Sequence, residues 1–197
     1  MLARLKRETH AHQLAAEDGR LEPLSSTATL GGYRSYLSLV YGFEAPIENA
    51  FLTTSDLGCV MDLRWRTRVR LLKSDLAALG ILDATRLPAT AVPLFGSASE
   101  ALGWMYVLEQ TAGLHAQLHR HFARCLPHQV AGAGCYLLAG ARSVELRLGE
   151  LGAALDTHAV RPIVATKIVE AARTAFRRQR LWFEKGLPLE VSRDVGR

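Results

Sequence analysis

The side chains best placed for chemistry in this 197-residue chain are histidines set at helical spacing. His115 and His119 are four apart, so on a helix both imidazoles leave the same side, a spacing that can chelate a metal. Near the N-terminus, His10 and His12 are two apart, roughly 200° around a helix. Only one of them can face the interior, and Leu2, Leu5, Thr9 and Ala16 fall in phase with His12. An imidazole on an apolar face is commonly a hydrogen-bonded core group, but its neutral nitrogen is also a good ligand for iron. Asp75 and Glu109 could be read as an acid and base pair, although lone carboxylates on helices are usually solvated or paired. Arg173, Arg177 and Arg180 share one helical flank, for which a solvated face is the default reading. No Gly-x-Ser-x-Gly, Walker or Rossmann motif is present.

The elements that must position these groups are all helical by pattern. A first helix covers residues 2–18, followed by a connection from Gly19 to Gly32 in which Thr29 can cap the next helix. That second helix runs over residues 33–51, with a stripe of Tyr33, Leu37, Val40, Tyr41, Ile47 and Phe51 and a kink or break expected at Pro46. A third spans 61–79, with Leu63, Val69, Leu72, Leu76 and Leu79 packed, Asp62, Arg64, Arg66, Arg68 and Arg70 solvated, and Gly80 as C-cap. After a loop fixed by Pro88 and Pro93, Ser97 or Ser99 caps a central helix reaching Phe122. Along it Ala101, Met105, Leu108, Ala112, His115, His119 and Phe122 form one stripe, apolar first and then carrying two imidazoles. Such a stripe is either a core with satisfied histidines or the wall of a ligand pocket. Pro127 to Gly134 breaks the chain, and residues 135–155 are helical despite Gly140, Gly149 and Gly152. A last helix spans about 160–185, with Ile163 or Val164, Ile168, Ala171, Ala172, Ala175, Phe176 and Trp182 inward. Strand-like alternation, internal repeats and linkers are missing, so the expectation is an all-α single-domain bundle of six to eight helices over residues 1–186, with 187–197 as a frayed tail.

Composition is ordinary for a globular chain, with 49% hydrophobic and 22% charged residues. The net charge of +5 suits nucleic acid, an anionic ligand or an acidic partner alike. The arginines are spread over several helices without interleaved aromatics, which speaks against nucleic acid. No run of about 18 apolar residues occurs, so no membrane span is expected. Residues 1–8 are charged at once, and Cys59, Cys125 and Cys135 are an odd set without metal-ligand spacing. The expectation is a cytoplasmic protein with reduced thiols.

Taken together, several stretches resemble the biliverdin-producing heme oxygenases, especially their bacterial, phytochrome-associated branch. The carriers are residues 5–9 with a histidine just after, Gly32-Tyr33-Arg34-Ser35-Tyr36-Leu37, Tyr41-Gly42-Phe43-Glu44-Ala45-Pro46-Ile47-Glu48, residues 71–80, Tyr106-Val107-Leu108-Glu109, and residues 171–176 through Trp182. The resemblance implies a heme between the first and central helices, ligated by His12 as the best match and His10 as second choice. It also implies an external electron donor of reductase or ferredoxin type and a possible bacteriophytochrome partner. In the family the central Tyr-Val-Leu-Glu is followed by a glycine-rich run that lets backbone approach the heme. Here Gln110, Thr111, Ala112, Gly113, Leu114 and His115 stand there, so only Gly113 remains and the distal pocket is expected to narrow. Thr111 is the candidate distal polar group, and His115 could clash with oxygen, donate to it or ligate iron. Basic residues near the heme propionates are part of the family pattern, and the Arg173, Arg177, Arg180 flank could serve.

Three functions follow as expectations. The first is oxidative cleavage of heme to biliverdin, carbon monoxide and iron, with heme as both substrate and cofactor. The second is a non-catalytic heme- or biliverdin-binding relative whose distal pocket is blocked by Leu114 and His115. The third is a non-heme metal site on His115 and His119, opposed by the lack of a Glu-x-x-His pair on the central helix.

Overall fold

In the computed structural model, which describes residues 1–186, the chain folds as nine helices among those residues with no strand. They are α1 (Leu2–Leu21), α2 (Leu30–Thr53), α3 (Leu57–Val60), α4 (Val69–Ala78), α5 (Ala98–Ala112), α6 (His115–Cys125), α7 (Pro127–Ala133), α8 (Cys135–His158) and α9 (Pro162–Lys185). Seven exceed nine residues, and α3 and α7 are short, which is why the pattern alone suggests fewer. The expected tail 187–197 lies outside the described residues. No helix is long and apolar enough to cross a membrane among the described residues.

The bundle is organised around α5, almost wholly buried and packed against both α8 and α9. Its start is fixed by Ser97, whose hydroxyl accepts from the Glu100 N–H, and α2 starts in the same way at Thr29. Close approach to α9 depends on Gly103, where a Cβ would lie 2.5 Å from the Ile168 carbonyl oxygen and 2.7 Å from the Ala171 Cβ. Gly80, at φ +91°, closes α4 as expected. The expected break falls at Leu126, and Pro127 opens the short helix α7 from its first turn.

Pro46 does not break α2, which runs unbroken through it. Proline leaves the carbonyl four residues back without its helical donor. That carbonyl belongs to Gly42, and it accepts instead from the Thr90 N–H at 2.9 Å. The same turn needs glycine, because a Cβ on Gly42 would come within 2.3 Å of the Pro88 carbonyl oxygen and 2.6 Å of the Trp182 ring.

Two expectations need correction, and of the two residues offered at the α9 entry one is selected. The segment 61–79 is helical only over α4, and Arg66 and Arg68 before it are buried rather than solvated. The central helix ends at Ala112: the Gly113 N–H bonds back to the carbonyls of Gln110 and Thr111, and α6 restarts at His115. Glycine at that point makes a tightened turn cheap where a straight helix would otherwise continue. At the α9 entry the side chain of Ile163 is exposed, whereas Val164 is partly buried against the core. The predicted stripe nevertheless survives the helix break, with Ala101, Met105, Leu108, Ala112, His115 and Phe122 all buried and His119 half-buried.

Candidate functional site

The α1 stripe buries Leu5, Thr9 and Ala16, leaves His12 half-buried, and extends one further turn to a fully buried Arg20. His10 is exposed. Both α1 and α5 run alongside α9 in the same direction. On one side Arg4 reaches Thr166 and Glu8 meets Arg173; on the other Gly103 abuts Ala171 and Thr111 meets Gln179. The two helices meet at Thr9, which lies against the Tyr106 hydroxyl. One turn further along each, α1 presents His12 and Gln13, and α5 presents Gln110 and then Gly113. This stretch, where α1 and the end of α5 lie alongside α9, is the candidate site.

Its cationic wall is α9. The guanidinium Nε of Arg173 donates to the Glu8 carbonyl oxygen at 3.2 Å, and its Nη2 reaches the Glu8 carboxylate at 3.4 Å. Arg180 pairs with Glu184 at 3.1 Å, whereas Arg177 bonds only the Thr174 hydroxyl at 3.1 Å among the described residues. His12 feels all three arginines: burial lowers its pKa first, and the charges of Arg177, Arg173 and Arg180 lower it further. The neutral imidazole is therefore favoured, and its lone pair can ligate a metal or accept a hydrogen bond.

The opposite wall is sparse. Gly113 is exposed, and a Cβ placed on it would meet nothing but the Gln110 carbonyl oxygen, at 3.0 Å. Gln110 is half-buried, and its buried amide lies beside the Tyr106 hydroxyl. Leu114 is half-buried at the edge of the core.

Two residues expected on this wall turn elsewhere. The Thr111 hydroxyl donates to the Val107 carbonyl at 2.7 Å and accepts from the Gln179 amide at 3.1 Å, so it faces α9. His115 is fully buried against α8, with its ring 4.7 Å from that of Tyr136. Gly140 makes room for it, since a Cβ there would sit 2.0 Å from His115 Nδ1. Burial, then Arg68, Arg20 and Arg147, push the His115 pKa well below its usual value. His119 is half-buried near Gly134. Among the described residues no three His, Cys, Asp or Glu side chains converge as a metal-binding group.

A second polar region lies behind α5. Glu109, 2% exposed, accepts from Arg66 Nη1 at 2.9 Å and pairs with Arg147 at 3.3 Å and Arg68 at 3.7 Å. Arg66 also bonds the Arg147 carbonyl at 3.1 Å and Glu150 at 3.0 Å. Glu48 caps α4, accepting from the backbone N–H groups of Arg68 at 2.6 Å and Val69 at 3.2 Å. Burial raises the Glu48 carboxyl pKa to about 7 against the opposing pull of those donors. Farther along, the Tyr136 hydroxyl donates to Glu44 at 2.6 Å, and Arg20 sits 3.9 Å from the same carboxylate. Asp75 accepts from the Cys135 and Tyr136 N–H groups and caps α8, so Asp75 and Glu109 are two separate structural carboxylates.

Periodicity gives no sign of Arg66, Arg68 or Arg147 as buried ions. Arg20 and Glu44 are traceable in hindsight, Arg20 as the next step of the α1 stripe and Glu44 within the apolar α2 face. No protein-family model, curated protein or solved structure matches this chain.

Proposed function

We propose that the groove between α1 and the α5 C-terminus binds heme, and that the protein is a heme oxygenase converting heme to biliverdin, carbon monoxide and iron. The observation that carries the reading is the pairing of a half-buried, neutral-favoured His12 with the Arg173, Arg177, Arg180 flank, with an exposed Gly113 at the end of α5. These residues fit the group. The His12 imidazole would ligate the iron, the guanidinium groups of Arg173, Arg177 and Arg180 would pair with the heme carboxylates, and Gly113 would leave backbone without a side chain beside the group.

When bound, heme supplies the oxygen chemistry, with electrons from an external reductase or ferredoxin-type donor. The chain's own residues bind and orient. His12 donates its lone pair, and the adjacent cations keep that nitrogen unprotonated down to lower pH than a free imidazole. Arg177, the least committed of the three arginines, holds a propionate by a charge-assisted bond. Gly113 allows close backbone approach. The biliverdin released has the chemistry of a phytochrome chromophore, which makes a bacteriophytochrome a fitting acceptor.

A non-catalytic heme carrier is favoured over the enzyme by one observation: the Thr111 hydroxyl is fully committed inside the protein. The test is hemin-loaded protein given ascorbate or a ferredoxin system in air. Decay of the Soret band into a broad red absorbance establishes the oxygenase. A Soret band that persists under the same conditions overturns turnover and leaves the carrier.

A further inference from the structure

Tryptophan is highly buried on average, because its large ring gains most by leaving water. Of the three tryptophans, Trp104 is buried and Trp182 half-buried, whereas Trp65 is 79% exposed. A fixed turn imposes that exposure. The Arg66 N–H donates to the Leu63 carbonyl at 3.0 Å, so Arg64 and Trp65 occupy the middle of the turn. On one side the Asp62 carboxylate accepts from the Arg64 N–H at 3.0 Å. On the other the Arg66 guanidinium is locked onto Glu109 and the Arg147 carbonyl. Trp65 is thus held outward by an anchored neighbour, a ring displayed at the surface by a turn tied down at both ends.

Trp65 lines a cavity of about 760 Å³ between this turn and the end of α8, a volume ordinary for a small-molecule site. Met61, Ala153 and Ala154 supply apolar lining. The charged lining is Asp62 and Glu150, with no lysine or arginine among the described residues. Thr157 and His158 also line it and are the last two residues of α8, where unpaired carbonyls and the helix dipole add negative potential. The buried Ser99 hydroxyl fixes the His158 ring through Nε2 at 3.1 Å. Asp62 is largely committed to Arg64, but the exposed Glu150 gives only Oε2 to Arg66, at 3.0 Å. An aromatic face beside carboxylates suits a positively charged organic group. We propose that this cavity binds a small organic cation, an amine carried on an aromatic or apolar body, with its ring against Trp65 and its ammonium at Glu150. The site is separate from the His12 stretch and does not rest on the heme reading.

The test is calorimetric titration of the full chain at neutral pH with phenethylamine and with phenethyl alcohol, a neutral probe of the same shape. The wild type binds one equivalent of the amine, and binds the alcohol more weakly. Trp65→Ala weakens the amine about tenfold. Glu150→Gln weakens it about threefold and leaves the alcohol unchanged. Both variants keep the wild-type melting curve, because Trp65 is exposed and Arg66 retains Glu109 when Glu150 loses its charge. No saturable binding of the amine by the wild type, an alcohol bound as tightly as the amine, or an amine affinity unchanged in either variant overturns the site.

Discussion

Two polar regions flank α5, and they are built on opposite principles. Behind the helix, Glu109 is surrounded by Arg66, Arg68 and Arg147, and each of these charges has a counter-charge or a carbonyl within reach. In front, on the α1 side, the charges are half-exposed or exposed, and the His12 imidazole is pushed towards neutrality. The first arrangement fixes the fold, because a buried ion is tolerable only when paired. The second keeps its charges at the surface, within reach of a ligand. Buried charge by itself therefore does not mark a site in this protein; the front differs in carrying its charges where solvent or a ligand can reach them.

The largest expected effect breaks the rear region. Glu109→Ala leaves three buried guanidinium groups without their shared carboxylate, and loss of one partner of such a cluster costs about 3–5 kcal/mol. Thermal or urea melts should show a fall of that size, and an unchanged midpoint would mean that water already screens the cluster. Next comes Gly140→Ala, which drives a methyl into His115 Nδ1 and should cost about 1–3 kcal/mol by overpacking. His115→Ala in the same background should recover part of that loss if the clash is the cause.

Acidity separates the two regions further. Glu48 has its carboxyl pKa raised to about 7 in the fold by burial. A raised carboxyl pKa favours the protonated form in the native state, so its contribution is fully present below the unfolded value and is lost as pH rises through about 7. Relative to Glu48→Gln, the wild-type protein should lose stability with rising pH over that window, with a slope of up to about 1.4 kcal/mol per pH unit. Parallel curves for the two proteins would contradict it. The smallest stability effect belongs to the front. Arg180, half-exposed and paired with Glu184, should cost less than about 1 kcal/mol when changed to alanine. The same substitution should weaken hemin binding, which separates a ligand-holding role from a structural one.

Much of this fold can be read directly from periodicity. The α8 and α9 spans differ from their expected bounds by a few residues at most, and the stripe through Met105, Leu108, Ala112 and His115 is buried as its spacing requires. Residues 61–68 defeat the same reasoning. Arginines at alternate positions look solvated, and nothing local reveals that Arg66 finds Glu109 and Glu150, 43 and 84 residues further along the chain. The site is legible in part. Helical phase selects His12 over His10, and His12 is the partly buried one. That three α9 arginines stand beside it and that Gly140 is hollowed to take His115 are both products of tertiary packing. Spacing within one helix carries no record of which face of a distant helix will arrive against it.

The central claim is that His12 is an iron ligand in an α1–α5 groove. Absorption titration of the wild-type chain and His12→Ala with hemin, alongside thermal melts of both, tests it most directly. A sharp one-to-one Soret band in the wild type, lost or strongly weakened in His12→Ala while the melting curves coincide, is the expected result. An identical Soret band in the two proteins, or none in the wild type, would contradict the claim.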